Sequence, residues 1–221
     1  MIDLNKSRDF FNPDEHKVSI TIIGCGALGS HLAECLARLG IQRFRLIDDD
    51  VVATHNIANQ MFFAKDIGRP KVEAVKELIE SINPAAQVTA ECRRVEEGEL
   101  FSGYIALCVD SIEPRKYIVA SNEFNKRLKG IFDIRMGLLS GQFYCADTPQ
   151  RIRIMPRTMD FTDEEVDKAT PKSACNFELS VSFTIKAIIG FCVNEMVKSW
   201  LGQPTKLTTM VDLEHGTVFN G

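Results

Sequence analysis

Apolar positions in the first 135 residues alternate between short unbroken runs and stretches where they return every third or fourth residue. Residues 18–24, Val-Ser-Ile-Thr-Ile-Ile-Gly, are β-branched and end in glycine, the pattern of a buried strand. Leu28, Leu32, Leu36 and Leu39 then recur at helical spacing until Gly40 stops them. Residues 44–48 form a second short run, completing a βαβ unit of about 30 residues. A long polar stretch over 49–68 follows, and polar loops longer than about 12–15 residues are usually functional or disordered. Val72, Val75, Leu78, Ile79 and Ile82 share one helical face behind Pro70, which suits a first helical position. Asn83-Pro84 ends that helix. Residues 87–90, 104–109 and 130–134 read as three further strands, with a helix over 113–127.

Beyond Gly141 the pattern changes. Residues 142–145 and 151–155 predict short antiparallel strands around Thr148-Pro149. Residues 160–173 are charged and irregular apart from a helical turn near Glu164. Residues 179–200 predict a long, strongly apolar helix, and 207–212 with 217–219 a closing hairpin. The expected class is α/β: a Rossmann-like mixed sheet, parallel in its N-terminal half, with antiparallel C-terminal strands. The 221 residues suit one decorated domain, with a nucleotide-binding half at 18–135. Residues 136–221 carry the antiparallel strands, a cysteine loop, the long helix and the hairpin.

Composition narrows the function. Hydrophobic residues at 45% and charged residues at 25% match globular proteins and argue against extensive disorder. A net charge of -4 argues against general binding to nucleic acid or anionic membrane, which needs a basic surface. No apolar run reaches the ~20 residues of a membrane span. The polar, acidic first 17 residues are unlike a signal peptide, so a cytoplasmic protein is expected. The 7 cysteines form no CxxC pair, so no structural zinc is expected. Cys25, Cys35, Cys108 and Cys192 sit in apolar runs as small core residues, whereas Cys175 lies in a polar stretch before the long helix.

The candidate chemistry begins at residues 24–29, Gly-Cys-Gly-Ala-Leu-Gly, which match GxGxxG between a strand and a helix. Gly24, Gly26 and Gly29 would let backbone approach a phosphate at a positive helix end. The motif alone does not choose between a dinucleotide and ATP, and a turn tightened only for packing is the plainer alternative. Asp48 ends the second strand, where an acid commonly holds a ribose; a solvated strand end is the alternative. Asp49 and Asp50 extend the acidic run, and three carboxylates beside a phosphate site need a cation to answer them. Lys71 in the first turn of its helix is a candidate, against an ordinary surface lysine. Asn56 and Gln60 offer uncharged hydrogen bonds. Asp110 follows a strand end, suited to holding Mg²⁺ on a triphosphate or to capping the next helix. His16, His31, His55 and His215 lack ligand spacing and read as surface or structural residues.

Together these stretches resemble the ubiquitin-activating-enzyme-like superfamily, the ThiF/MoeB type of adenylyltransferase. The resemblance rests on residues 22–30, 46–51 (Leu-Ile-Asp-Asp-Asp-Val) and 55–60 (His-Asn-Ile-Ala-Asn-Gln). It continues through 66–72, 82–84 and 108–111. It implies ATP with Mg²⁺ and adenylation of the C-terminal carboxylate of a small β-grasp protein (ubiquitin-like or sulfur carrier) or a peptide. It implies Gly24, Gly26 and Gly29 under the nucleotide, Asp48 on the ribose, Asn56 and Lys71 facing phosphates, and Asp110 on Mg²⁺. Asp50, Asn59 and Gln60 belong to the same nucleotide site by this resemblance, Cys175 lies where a thioester cysteine is found, and a homodimer is expected. Three departures stand out. Asn59 occupies a position usually held by arginine, zinc-binding cysteine pairs are absent, and Arg8 is the one candidate for the arginine of an N-terminal helix. The competing functions are a non-catalytic nucleotide-binding scaffold of the same fold and a NAD-dependent oxidoreductase.

Overall fold

A computed structural model describes residues 2–172 and 179–221. After a short N-terminal helix, α1 (Pro13–His16), the chain alternates β1 (Ser19–Ile23), α2 (Ala27–Arg38) and β2 (Arg43–Ile47). Two 3₁₀ turns, Thr54–Ala58 and Ala64–Asp66, break the long polar stretch before α3 (Lys71–Ile82). Then come β3 (Gln87–Glu91), β4 (Gly103–Leu107), α4 (Ile112–Asn122), β5 (Leu128–Met136) and β6 (Ser140–Ala146). The remainder is α5 (Pro149–Ile154), α6 (Asp163–Ala169), α7 (Ser182–Trp200), β7 (Thr208–Asp212) and β8 (Thr217–Asn220).

The strands form one sheet in the order β3-β2-β1-β4-β5-β6-β7-β8. The pairs from β3 to β5 are parallel, and those from β5 to β8 are antiparallel. This is the Rossmann-like mixed sheet that the sequence predicts. Strand alternation sends Ile20, Ile22, Phe44, Leu46, Ala106 and Phe132 to a face covered by α2, α3 and α7. Ile23, Ile47, Ile105, Leu107 and Ile131 face the other side with Ile112, Ile118 and Val119 of α4. With both faces covered, the inner parallel strands β1 and β4 are buried on both sides, which explains their short apolar runs, whereas the edge strand β3 has no buried residue.

Three expectations are corrected. Residues 151–155 are helical, not a strand: Thr148 caps α5 by accepting the Arg151 N–H (3.3 Å), with Pro149 at its first position. The Arg-Ile-Arg-Ile alternation imitates a strand, but the cap and proline nucleate a helix. The helix predicted to reach 127 ends at Asn122, whose buried side chain turns back to the Phe101 N–H (3.0 Å) and the Glu99 carbonyl (2.9 Å). Pro70 is the N-cap of α3 rather than its first residue.

An aromatic cluster joins the N-terminal segment to the sheet and α7. Phe132 stacks on Tyr104 (5.6 Å) and Phe143 (6.1 Å), and Trp200 meets it edge-on (6.2 Å). Phe11 packs against the same Trp200 (5.6 Å). Three histidines have surface or structural contacts: His16 stacks on Phe11, His31 meets the Ala27 carbonyl (2.8 Å), and the exposed His215 pairs with Asp212 (2.8 Å). Replacing the fully buried Phe132 by alanine should lower unfolding free energy by about 3–5 kcal/mol. Phe124→Ala, at a side chain 77% exposed, should stay within about 0.5 kcal/mol of wild type. Urea unfolding of both variants checks the contrast; equal losses would mean the cluster does not carry the core.

Candidate functional site

The glycine turn touches both strands beside β1. The Gly24 N–H donates to the Ile47 carbonyl of β2 (2.9 Å), and the Cys108 N–H, just past β4, donates to the Ile23 carbonyl (2.8 Å). Gly24 has φ +89°, and a Cβ there would stand 2.7 Å from the Cys108 carbonyl oxygen. A Cβ on Gly29 would stand 1.8 Å from the Gly24 oxygen. Both positions therefore demand glycine, and α2 starts hard against the turn with its N–H groups at the opening. Gly26 caps α2 and lies near the Gln60 amide, 3.9 Å from where its Cβ would be.

Asp48 closes this turn from the β2 side. Its Oδ2 accepts the Cys25 N–H (2.6 Å) and its Oδ1 accepts the Asp50 N–H (2.8 Å). Burial pushes the Asp48 pKa above the ordinary carboxylate value, opposed by those two N–H groups and by Lys71. Asp50 Oδ2 pairs with Lys71 Nζ (2.6 Å), and the Lys71 N–H donates to the Asp50 carbonyl (2.9 Å). Lys71 is only 7% exposed, so it is not a surface lysine. A cation in the first turn of α3 opposes the helix dipole, and Asp50 offsets that cost. Asp49 pairs with Arg94 (2.8 Å). The acidic run is thus answered by two cations, although one carboxylate oxygen from each of Asp48, Asp49 and Asp50 lies within 4.8 Å of the others.

The polar loop builds the adjoining wall. Asn56 is buried and its Oδ1 accepts the Ala53 N–H (2.8 Å), so it shapes the first 3₁₀ turn. Asn59 Oδ1 and Gln60 Oε1 are buried with no hydrogen-bond partner among the described residues. Such orphaned acceptors cost about 1–3 kcal/mol each and mark a place where a polar ligand would be satisfied. Asp110 is exposed, just past β4. It does not cap α4: Ser111 is the N-cap, and Asp163 accepts the Ile112 N–H (2.5 Å). Cys175 lies outside the described residues. Arg8 is in a turn, paired with Asp14 of its own chain (3.1 Å). The fold thus brings Gly24, Gly26, Gly29, Asp48, Asp50, Gln60 and Lys71 together, with Asp110 following the strand end that Gly24 touches.

A buried charge network beneath the strand ends was missed in the sequence. Arg115 is buried in α4 and donates to the Leu107 carbonyl (3.3 Å), the Val109 carbonyl and Asp133 Oδ1. Asp133 Oδ2 also accepts from Arg135 (2.6 Å), which reaches the Thr158 carbonyl (2.6 Å) and lies 4.5 Å from the Tyr144 ring centre. The signal available was Asp133 itself, a charge in the middle of an apolar strand run. The thiols of Cys25, Cys108 and Cys192 are buried as expected, whereas Cys35, also expected in the core, is only half-buried on α2. Burial pushes Cys108 up to about 12 and Cys25 and Cys192 well above the usual thiol value.

Comparison with known proteins bears on the fold and the family. Mouse adenylyltransferase and sulfurtransferase MOCS3 is 34% identical over 107 residues, 46% of this chain and 23% of that protein. The tRNA threonylcarbamoyladenosine dehydratase of Escherichia coli strain K12 is 33% identical over 114 residues, 48% of this chain and 42% of that protein. The chain spans less than half the length of these curated relatives. Among solved structures, E. coli MccB with ATP superposes with a TM-score of 0.69 at 18% identity, covering 94% of this chain and 64% of that one. That similarity extends the shared fold through the antiparallel half. The ThiF family model matches residues 14–215, nearly the whole sheet and its helices, and the chain belongs to the ThiF family.

Proposed function

We propose that this chain is an ATP-dependent adenylyltransferase that activates the C-terminal carboxylate of a small β-grasp protein or a peptide. The observation that carries the reading is the buried Lys71, held by Asp50 beside the Asp48-pinned glycine turn. That arrangement keeps a cation ready at a nucleotide turn where backbone N–H groups already converge. Family membership supports it, as do the name of the mouse relative and the MccB structures solved with ATP and with MccA. A NAD-dependent reading leaves the Lys71–Asp50 pair without a task.

In the proposed reaction the acceptor carboxylate oxygen attacks the α-phosphorus of ATP. The bond from that phosphorus to the bridging oxygen breaks, and pyrophosphate leaves with the electron pair. The chain's part is positioning and charge neutralisation. Asp48 orients the ribose through its hydroxyls, the glycine turn lets the phosphates approach α2, and Lys71 turns from Asp50 toward the polyphosphate. Asp110, not used as a helix cap, offers the hard oxygen that Mg²⁺ prefers; the bound ion would supply positive charge to the departing pyrophosphate. Cys175 would take the acyl group as a thioester in a later step. Asn59 supplies no charge, which keeps a non-catalytic nucleotide-binding scaffold as the second reading.

We also propose a homodimer, because Phe183 and Phe191 of α7 and Phe63 of the polar loop are exposed. The net charge and the lack of any helix long and apolar enough to cross a membrane, among the described residues, fit action in the cytoplasm away from lipid and nucleic acid.

ATP–pyrophosphate exchange, driven by a β-grasp protein ending in Gly-Gly, tests the main reading. Lys71→Ala should lower the exchange rate about 10²–10³-fold while weakening ATP binding far less. Asn59→Arg should raise exchange if a missing cation limits it. ATP binding with no exchange for any carboxylate partner would favour the scaffold, and tighter binding of NAD than of ATP would reject both.

The Asp48 carboxylate is protonated more easily than usual, so its capacity to accept ribose hydroxyls falls off at a higher pH than for an ordinary carboxylate. ATP affinity should therefore tighten as pH rises from roughly 4, the ordinary carboxylate value, through the raised value, and then level off. Asp48→Asn should flatten that profile and weaken binding about 10–100-fold at neutral pH. A profile of unchanged steepness in the variant would assign the pH dependence elsewhere. For the dimer, light scattering should give about twice the 24.8 kDa of one chain; a monomer mass at high micromolar concentration would overturn it.

A further inference from the structure

Asp110 lies between two anchored neighbours. On its N-terminal side, the Arg115 guanidinium holds the Leu107 carbonyl (3.3 Å) and the Val109 carbonyl. On its C-terminal side, the anchor comes from 51 residues away. Ser111 is the N-cap of α4, yet its hydroxyl makes no cap bond to the helix. It donates instead to Asp163 Oδ2 (3.1 Å), and the Ile112 N–H donates to Asp163 Oδ1 (2.5 Å). Both oxygens of Asp163 are therefore spent on the two residues that follow Asp110. Lys116 Nζ, one turn along α4, donates to the Phe161 carbonyl (2.7 Å) and fastens the same segment.

Asp163 is not needed to start its own helix. Thr162 caps α6 by accepting the Glu165 N–H (3.2 Å), and Glu165 returns the bond to the Thr162 N–H (2.8 Å). That capping box leaves the Asp163 carboxylate available for α4. A carboxylate at a helix N-terminus is stabilised by the exposed N–H groups and the helix dipole.

We propose that Asp163 is a positioning residue for Asp110. By clamping Ser111 and Ile112, it fixes the backbone on the far side of Asp110 and so holds that carboxylate at the mouth of the site. The proposal rests on the reading of Asp110 as the group that meets the nucleotide's Mg²⁺. Asp163 touches neither nucleotide nor metal in this scheme. Its effect must therefore be confined to Mg²⁺-dependent binding and must pass through Asp110.

Calorimetry of ATP binding, with and without Mg²⁺, separates these possibilities. Asp163→Ala should weaken Mg²⁺–ATP binding about tenfold and change binding of metal-free ATP by less than twofold. Asp163→Asn should restore most of the loss, because its amide accepts the Ile112 N–H and donates to the Ser111 hydroxyl. Ser111→Ala, which removes one of the two bonds, should fall between, and it serves as the second variant if Asp163→Ala does not fold. Thr162→Ala weakens α6 alone and should leave the Mg²⁺ dependence at the wild-type value. In an Asp110→Ala background, Asp163→Ala should add nothing. Equal losses with and without Mg²⁺, full additivity with Asp110→Ala, or the same loss in Thr162→Ala would each overturn the proposal. A wild type that binds Mg²⁺–ATP and loses it on Asp110→Ala, but not on Asp163→Ala or Ser111→Ala, overturns this inference alone. A wild type that binds no ATP overturns the proposed function and this inference with it.

Discussion

The hydrogen bond from the Cys25 N–H to the Asp48 carboxylate, at 2.6 Å, is the constraint on which the site depends. It joins the residue after the first glycine to the residue after β2, so the turn and the acidic run cannot move independently. The bond is possible only because Gly24 takes a positive φ against the end of β4 and Gly29 lets α2 begin without a Cβ in the way. Once Asp48 is pinned, its second oxygen orders the Asp50 N–H, and Asp50 in turn orders Lys71. Four charged or polar groups are thus lined up by a chain of short contacts, each fixing the next. Without them, three neighbouring carboxylates would repel one another and the lysine would have no reason to stay buried.

The antiparallel half is connected to this site through charge as well as through apolar packing. Asp133, fully buried, sits between the guanidiniums of Arg115 and Arg135. One guanidinium reaches back to the carbonyls at the end of β4, and the other reaches forward to Thr158 beyond α5. Taking such charges out of water is unfavourable by itself, and removing one partner commonly costs about 3–5 kcal/mol because the others stay buried unpaired. The network therefore ties β4, β5 and the segment after α5 to one another. This region carries the residues on either side of Asp110.

The parallel half was legible because its inner strands β1 and β4 are buried on both faces and its strands end at or near a glycine or an acid, so pattern and function coincide at the same residues. Gly24, Asp48 and Asp110 all mark strand ends, where ligands meet open α/β sheets. Lys71 was readable as an oddity, a cation where the helix dipole disfavours one. What was not legible depends on partners far away in sequence. Asn122 ends α4 because of bonds to Glu99 and Phe101, and Asp163 caps α4 from 51 residues downstream. Neither leaves a periodic trace. The segment 151–155 failed for a local reason: its alternation favoured a strand while Thr148-Pro149 favoured a helix, and the cap prevailed.

Cys25 sits inside the glycine turn itself, where its backbone serves the site and its side chain is buried. Only the thiolate reacts readily with alkylating reagents, and burial pushes this thiol well above its usual pKa. Among the described cysteines Cys92 is exposed and Cys35 half-buried, whereas Cys25, Cys108, Cys145 and Cys192 are buried. A maleimide or iodoacetamide therefore spares the turn for as long as the chain is folded. Modification of Cys25 becomes a clock for opening of the β1–α2 unit, and its protection by a ligand would report how much that ligand steadies the nucleotide turn.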